Sequence, residues 1–364
     1  MKLDAAPPSF GQEVLRVEPP RGLVPDAGTR SGGPRRCKSP DQRVRTRRMM
    51  NTFSSGSAVT FLLWTLRLGA IVLLPACDMN KIVADGTAAL LKQATPAVDG
   101  LWDYELAGVG TQSAIMQLEA YHEVSPDNED LSLQLAKAYV GFANGWVESD
   151  YEIAYAADDA DKADRLRQRA RLFYLRAYQL ALRCMRNRHS GIEQALHSNR
   201  EGTLAKYLDE HYRYAASAPP VFWAGLSLAA AINLSLDQPD LVAELGTAKA
   251  LVEHAKQLDE MFFHGGAFLV LGTIEAALPP ALGGNPEKGR AMFEEGLRKT
   301  DRKNHMIHVS YARTYAVSTQ NRELFIKLLS EVIDAPDMGR SVRLNNKVAR
   351  RRAERYLAQA NQLF

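Results

Sequence analysis

A chain of 364 residues with 46% hydrophobic residues is long enough for one large or two ordinary domains around a substantial core. Its formal charge of +3 conceals two regions: residues 1–48 contribute +6 and residues 49–76 add one arginine, which leaves about −4 for residues 77–364. A mildly acidic body argues against a nucleic-acid partner, and three cysteines with no CxxC spacing offer neither a metal site nor a disulfide framework.

Residues 1–48 carry seven of the seventeen prolines and five glycines, with no apolar periodicity. Such a stretch buries too little to offset its ordering entropy, so it is expected to be disordered or to precede a true start at Met49 or Met50. From Met49 the pattern changes. Arg45, Arg47 and Arg48 lead into Phe61-Leu-Leu-Trp-Thr-Leu-Arg-Leu-Gly-Ala-Ile-Val-Leu-Leu74, followed by Pro75, Ala76 and Cys77. A basic lead, a short apolar core and small residues before a cut describe a secretory signal over 49–76. The alternative is an uncleaved anchor helix from Ser57 to Ala76, in which Arg67 costs about 3 kcal/mol at the bilayer centre. Both readings put the bulk of the protein outside the cytoplasm, held at a membrane.

The body reads as helices throughout. Lys81 to Gln93 is amphipathic, and Asp99 to His122 follows with Gly100, Gly108 and Gly110 loosening it. After a turn at Pro126 and Asn128, the helix from Leu131 carries Tyr139, Phe142 and Trp146 at spacings of three and four. Tyr151 and Tyr155 continue that stripe past an expected break near Gly145. An aromatic stripe of this kind is either core or the lining of an apolar ligand groove on a concave face. Asp158 to Arg188 is a long helix with acids first and arginines last, the order that complements a helix dipole. Residues 190–217 are more polar, with Gly191 and Gly202, and short helices or an insertion are expected there. Phe222 to Leu236, entered through Pro219-Pro220, is almost wholly apolar and is expected to be central.

The stretch from Phe263 to Thr300 organises the rest. Gly266 to Leu278 is apolar nearly all round, and Pro279-Pro280 stops it because neither ring donates the next helical hydrogen bond. Gly283 and Gly284 form the structural turn, and Pro286 restarts a helix where its missing N–H costs nothing. Gly289, Phe293, Gly296 and Leu297 then face Phe268, Leu271 and Gly272, large against small. That is the logic of a tetratricopeptide-type hairpin. Weaker versions recur at Leu135-Ala136-x-x-Tyr139, Ala170-x-x-x-Tyr174-x-x-Ala177, Trp223-x-x-Leu226, Ala248-x-x-x-Val252-x-x-Ala255 and Tyr311-Ala312-x-x-Tyr315. Their spacing is irregular, so the expectation is an all-α fold of degenerate tetratricopeptide-like hairpins over 77–364. An irregular Ala-rich helical domain is the alternative.

Catalytic signatures are missing. There is no HExxH, no GxxxxGK[ST], no GxSxG and no strand-preceded GxGxxG. His305 and His308 share a helix face without a carboxylate or thiolate at ligand spacing, so packing outweighs a metal role. His264, a lone histidine at a helix start, is weak evidence for a pocket. The reading is a non-enzyme without metal or cofactor.

Leu74-Pro-Ala-Cys77 is similar to the lipobox of bacterial lipoproteins, whose cysteine is acylated at the new N-terminus. That start, the degenerate hairpins and Leu282-Gly-Gly284 with Phe293-x-x-Gly-Leu297 together resemble the TatT proteins, the T components of TRAP (tripartite ATP-independent periplasmic) transporters. Val124-Ser-Pro-Asp-Asn128, Pro220-Val-Phe-Trp-Ala-Gly225 and Asn321-Arg-Glu-Leu-Phe325 extend the likeness over residues 78–364. The resemblance implies a periplasmic lipoprotein anchored through Cys77 that associates with the transporter's solute-binding component, and it leaves open a homotrimer around a pore or groove. Tyr139, Phe142, Trp146, Trp223, Phe268 and Phe293 are the candidate lining. A general envelope-assembly scaffold of the same fold is the rival function.

Overall fold

The computed structural model describes residues 79–198, 202–278 and 283–364. The extension 1–48, the signal 49–76, Cys77 and the stretch Pro279–Leu282 lie outside them. No strand occurs among the described residues, and the chain is all-α.

Side-chain caps start many of the helices. Asp103 caps α1's successor, and α1 itself runs Met79–Asp99. That successor, α2, is Tyr104–Val124; Asn128 then opens α3, Glu129–Phe142, by accepting from the Leu131 N–H at 2.9 Å. The break expected near Gly145 is instead a π turn, Ala143–Val147, through which the helix continues into α4, Glu148–Ala156. Asp158 adopts φ 55° and Asp159 caps α5, Ala160–Arg188, by accepting from the Lys162 N–H at 3.1 Å. The polar stretch holds two short helices, α6 (Ile192–His197) and α7 (Thr203–His211). The apolar helix α8 is Ala218–Asn233, with prolines in its first turn, and a single turn, α9 (Pro239–Val242), leads to α10, Leu245–Leu258.

The hairpin follows as α11 (Phe262–Ala277) and α12 (Pro286–Lys299), the latter capped by Asn285. Then come α13 (His305–Tyr311), a second π turn (Ala312–Ala316), α14 (Arg322–Asp334), α15 (Arg343–Ala358) and the short α16 (Ala360–Leu363). Helices pack mainly on near neighbours in sequence: α3 on α5, α5 on α8, α8 on α10, α11 on α12, and α13 and α14 on α15.

One core is built from Leu131, Leu135, Tyr174, Phe222 and Leu251 with alanines between the backbones, and a second from Phe293, Ile307, Phe325, Leu329 and Ala349. The α11–α12 contact shows why glycine stands at 272. A Cβ there would lie 2.8 Å from the Phe293 ring, so the ring occupies the space a side chain would need. Among the described residues, Ala215–Asn233 is long and apolar enough to cross a membrane, but two thirds of it is buried inside the fold. It is a core helix by packing.

Candidate functional site

The π turn gathers more chemistry than any other described part of the chain. A π turn leaves carbonyls without their usual i+4 donors. Here side chains from distant helices supply the donors: the Tyr104 hydroxyl donates to the Gly145 carbonyl at 2.7 Å, and the Arg352 guanidinium donates to the Asn144 carbonyl at 2.6 Å. Trp146, inside the turn, stacks on Tyr104 at 5.0 Å and on Phe142 at 5.8 Å. Its indole N–H is buried against Gly108 and has no hydrogen-bond partner among the described residues.

One turn further on, α4, α5 and α15 enclose an ionic cluster. Arg352 lies 3.3 Å from Glu148, which accepts a short hydrogen bond from the Tyr174 hydroxyl. Arg355 pairs with Glu152 and donates to Ser149 at 3.0 Å, and Tyr356 donates to Glu152 at 2.7 Å. Burial pushes Glu148 above the ordinary carboxylate range despite Arg352. Burial also acts to raise Glu152, but Arg352 and Arg355 together hold it below that range. The cluster ties α15 to residues some 200 positions earlier. Sequence reading missed it, because Glu148 and Glu152 at i, i+4 and the Arg350-Arg-Arg-Ala-Glu-Arg355 run give no sign of pairing with each other.

The six aromatic residues expected to line a groove separate into two groups. Phe142, Trp223, Phe268 and Phe293 are buried between helices. Tyr139 and Trp146 are partly buried and pack against the first core. Tyr139 packs on Phe173 at 5.3 Å and donates to Glu119 at 2.7 Å; that carboxylate also takes two bonds from Arg176. Burial first, then Glu119, pushes the Tyr139 hydroxyl up to about 12. Arg169 lies over both Phe142 and Phe173, so the stripe ends at solvent under a cation. Two open surface depressions, one at Leu175 with Asp237–Leu241 and one at Lys256–Glu260, touch none of the six.

A second concentration lies at the start of α11. Phe263, His264 and Gly265 adopt φ of 49°, 56° and 72°, and regular helix begins only at Gly266. For the two non-glycine residues this conformation costs on the order of 1–3 kcal/mol each. Surrounding contacts hold it: Phe263 packs edge-on against Trp223 at 4.8 Å, and the Asn304 amide donates to the His264 carbonyl at 2.9 Å. Lys137 lies 5.8 Å from the centre of the Phe263 ring while paired with Asp99 at 2.9 Å. Burial lowers the pKa of His264.

The remaining candidates behave as structural groups. Gly283 has φ 85°, and a Cβ on Gly284 would fall 2.0 Å from the Leu278 carbonyl oxygen, so both positions need glycine. Burial first, with Arg302 adding, lowers His308 to about 3, and burial lowers His305. The buried Cys184 thiol is pushed up to about 12 by burial and Glu129, which makes it a poor nucleophile. Among the described residues, no group of three or more His, Cys, Asp or Glu stands close enough to hold a metal ion.

Comparison with known proteins follows the same outline. Residues 102–364 match the family model described as the TRAP transporter T-component. A protein of Treponema pallidum (strain Nichols), described only as uncharacterized, is 26% identical over 231 residues, which is 64% of this chain and 71% of the relative. The match runs from the loop before α2 to the last residue and takes in the π turn, the ionic cluster and the hairpin; the chain belongs to the TRAP transporter T-component family.

Proposed function

We propose that this chain is a non-catalytic periplasmic component of a TRAP-type transporter, tethered by acylation of Cys77, which docks the transporter's solute-binding component. The observation that carries the reading is the family match over residues 102–364. Two features of the molecule support it. The sequence Leu74-Pro-Ala-Cys77 stands directly before the first described helix, and the body is all-α.

Within this reading the ligand surface is small. Tyr139 and Trp146 supply its solvent-facing aromatic area, and Phe142, Trp223, Phe268 and Phe293 form the packed layer beneath and beside it. A ligand that is apolar or organic and small suits such a surface, since the two rings offer apolar contact area while the Tyr139 hydroxyl is held by Glu119 and the Trp146 indole N–H is turned inward. Assembly as a homotrimer around a shared pore or groove belongs to the same proposal.

The test is intact-mass measurement on the membrane-extracted protein beside a Cys77→Ala version, followed by affinity capture from detergent extract. The expected result is a chain beginning at Cys77 with acyl chains attached, lost in the variant, and a solute-binding protein captured with it. A full-length unmodified mass with no such protein captured would overturn the proposal.

A further inference from the structure

The carboxylates of helix α1 stand on the side toward the body, partly buried. With 3.6 residues per turn, Lys81, Asp85, Lys92 and Asp99 fall on one side and Met79, Val83, Gly86, Leu90, Ala94 and Ala97 on the other. The charged side faces the body. Asp85 accepts from Ser125 at 2.6 Å and from Asn128 at 2.7 Å, Lys92 pairs with Asp130 at 2.7 Å, and Asp99 pairs with Lys137. Gln134 adds a bond to the Ala88 carbonyl at 3.0 Å. Of its 21 residues α1 buries only two, Ala84 and Ala88.

The outward side is the apolar one. Met79 is 69% exposed, Val83 56% and Leu90 65%, and nothing stands within 4 Å of a Cβ built on Gly86. From Ile82 to Val98 that face carries no charge. Its polar side chains are Gln93 and Thr87, and the Thr87 hydroxyl is turned back onto the Val83 carbonyl at 2.8 Å. A helix that meets water normally shows the reverse order. This inverted helix also precedes the region matched by the family, which begins at residue 102.

We infer that the outward face of α1 lies in the lipid interface of the membrane that holds the anchor. The inference rests on the acylation of Cys77 proposed above. Met79 is two residues from that cysteine, so its Cα stays within about 7 Å of the acylated residue, and the start of the helix is kept at the lipid surface. The helix is about 30 Å long, enough to reach across the surface to its far end. There Trp102 is 70% exposed. Exposed Arg340 packs its stem on Gly100, and exposed Arg351 lies 4.2 Å from the centre of the Tyr104 ring while pairing with Glu105 at 3.0 Å. An apolar stripe ending in tryptophan, with Arg340 beside it for an anionic headgroup, is the composition of a helix lying in the interface plane. Leu106, Val109 and Met116 carry the exposed apolar surface onto α2.

The test uses the mature, membrane-extracted protein in vesicles of phosphatidylcholine and phosphatidylglycerol. Leu90→Cys and, as control, the equally exposed Leu236→Cys are labelled with an environment-sensitive dye; buried Cys184 stays unlabelled. Quenching by shallow doxyl lipids and by aqueous iodide is read for each. The expected result is a Leu90 label quenched several-fold more by doxyl lipid than the Leu236 label and shielded from iodide, with the difference lost in a Val83→Asp background. Shielding from iodide without lipid quenching would mean that protein, a second copy or another partner, covers the face, and it would overturn the inference. Equal access of iodide to both labels would overturn it too. Intact mass of the same sample reports acylation separately, so an acylated chain with an unquenched Leu90 label removes the interfacial seating and leaves the anchor standing.

Discussion

Replacing Phe293 by alanine measures whether the hairpin is a packed unit or a ligand surface. The ring is fully buried on α12, stacked on Tyr311 at 5.1 Å and seated where Gly272 has no side chain. Truncating a buried phenylalanine costs roughly 3–5 kcal/mol, depending on how far the neighbours close over the gap. Collapse is hindered on two sides: Gly272 has nothing to extend, and the Tyr311 hydroxyl is held by Glu294 at 3.1 Å. The loss should therefore fall in the upper half of that range, about 4–5 kcal/mol, which includes about 1 kcal/mol of ring stacking. Gly272→Ala attacks the same contact from the other helix and should cost about 1–3 kcal/mol, because the ring has to move. Combining Gly272→Ala with Phe293→Leu should cost less than the sum of the two single changes. Equilibrium urea unfolding, followed by near-UV circular dichroism, gives all these values. A cost below about 1 kcal/mol for Phe293→Ala, outside the range for buried rings, would refute the packed hairpin.

Arg352→Met should cost roughly 3–5 kcal/mol in the same assay, since it leaves Glu148 and Glu152 buried without their shared cation. Adding Glu148→Gln should recover part of that loss. His308 makes the fold acid-sensitive with a definite sign. Folded, it stays neutral down to about 3, whereas the unfolded chain takes up the proton near 6.5, so stability is complete above that value and falls as pH drops towards 3. The loss is about 1.4 kcal/mol per pH unit, or roughly 2 kcal/mol at pH 5, and His308→Asn should flatten the change in urea midpoint between pH 7 and pH 5. Asn128→Ala should cost about 1 kcal/mol through the α3 cap and, by releasing Asp85, should speed hydrogen exchange along α1 more than along α3.

What the sequence makes legible is local. The Pro279-Pro280 stop, the Asn285-Pro286 start and the large-against-small order of Phe268, Gly272, Gly289 and Phe293 are all written within forty residues, and α11 and α12 form where those signals place them. The helix-breaking glycine at 145 misleads because what holds the π turn together comes from Tyr104 and Arg352, far away in sequence. The left-handed run at Phe263 and His264 has no local signature either; Trp223 and Asn304 impose it. Amphipathic spacing revealed that α1 has two faces. It did not reveal that Asp85 and Asp99 are held against the body, because that depends on Ser125, Asn128 and Lys137 on other elements. The aromatic stripe shows the same limit: its spacing is common to core and groove, and only packing separates fully buried Phe142 from partly buried Tyr139 and Trp146.

The transporter reading is tested most directly by sedimentation velocity of the purified, detergent-held chain mixed with the purified solute-binding component of the TRAP system from the same cell. Docking gives a faster boundary containing both proteins, formed at micromolar concentrations and saturating at a fixed ratio. Independent sedimentation of the two at every ratio, with the chain folded and its anchor intact, would contradict it.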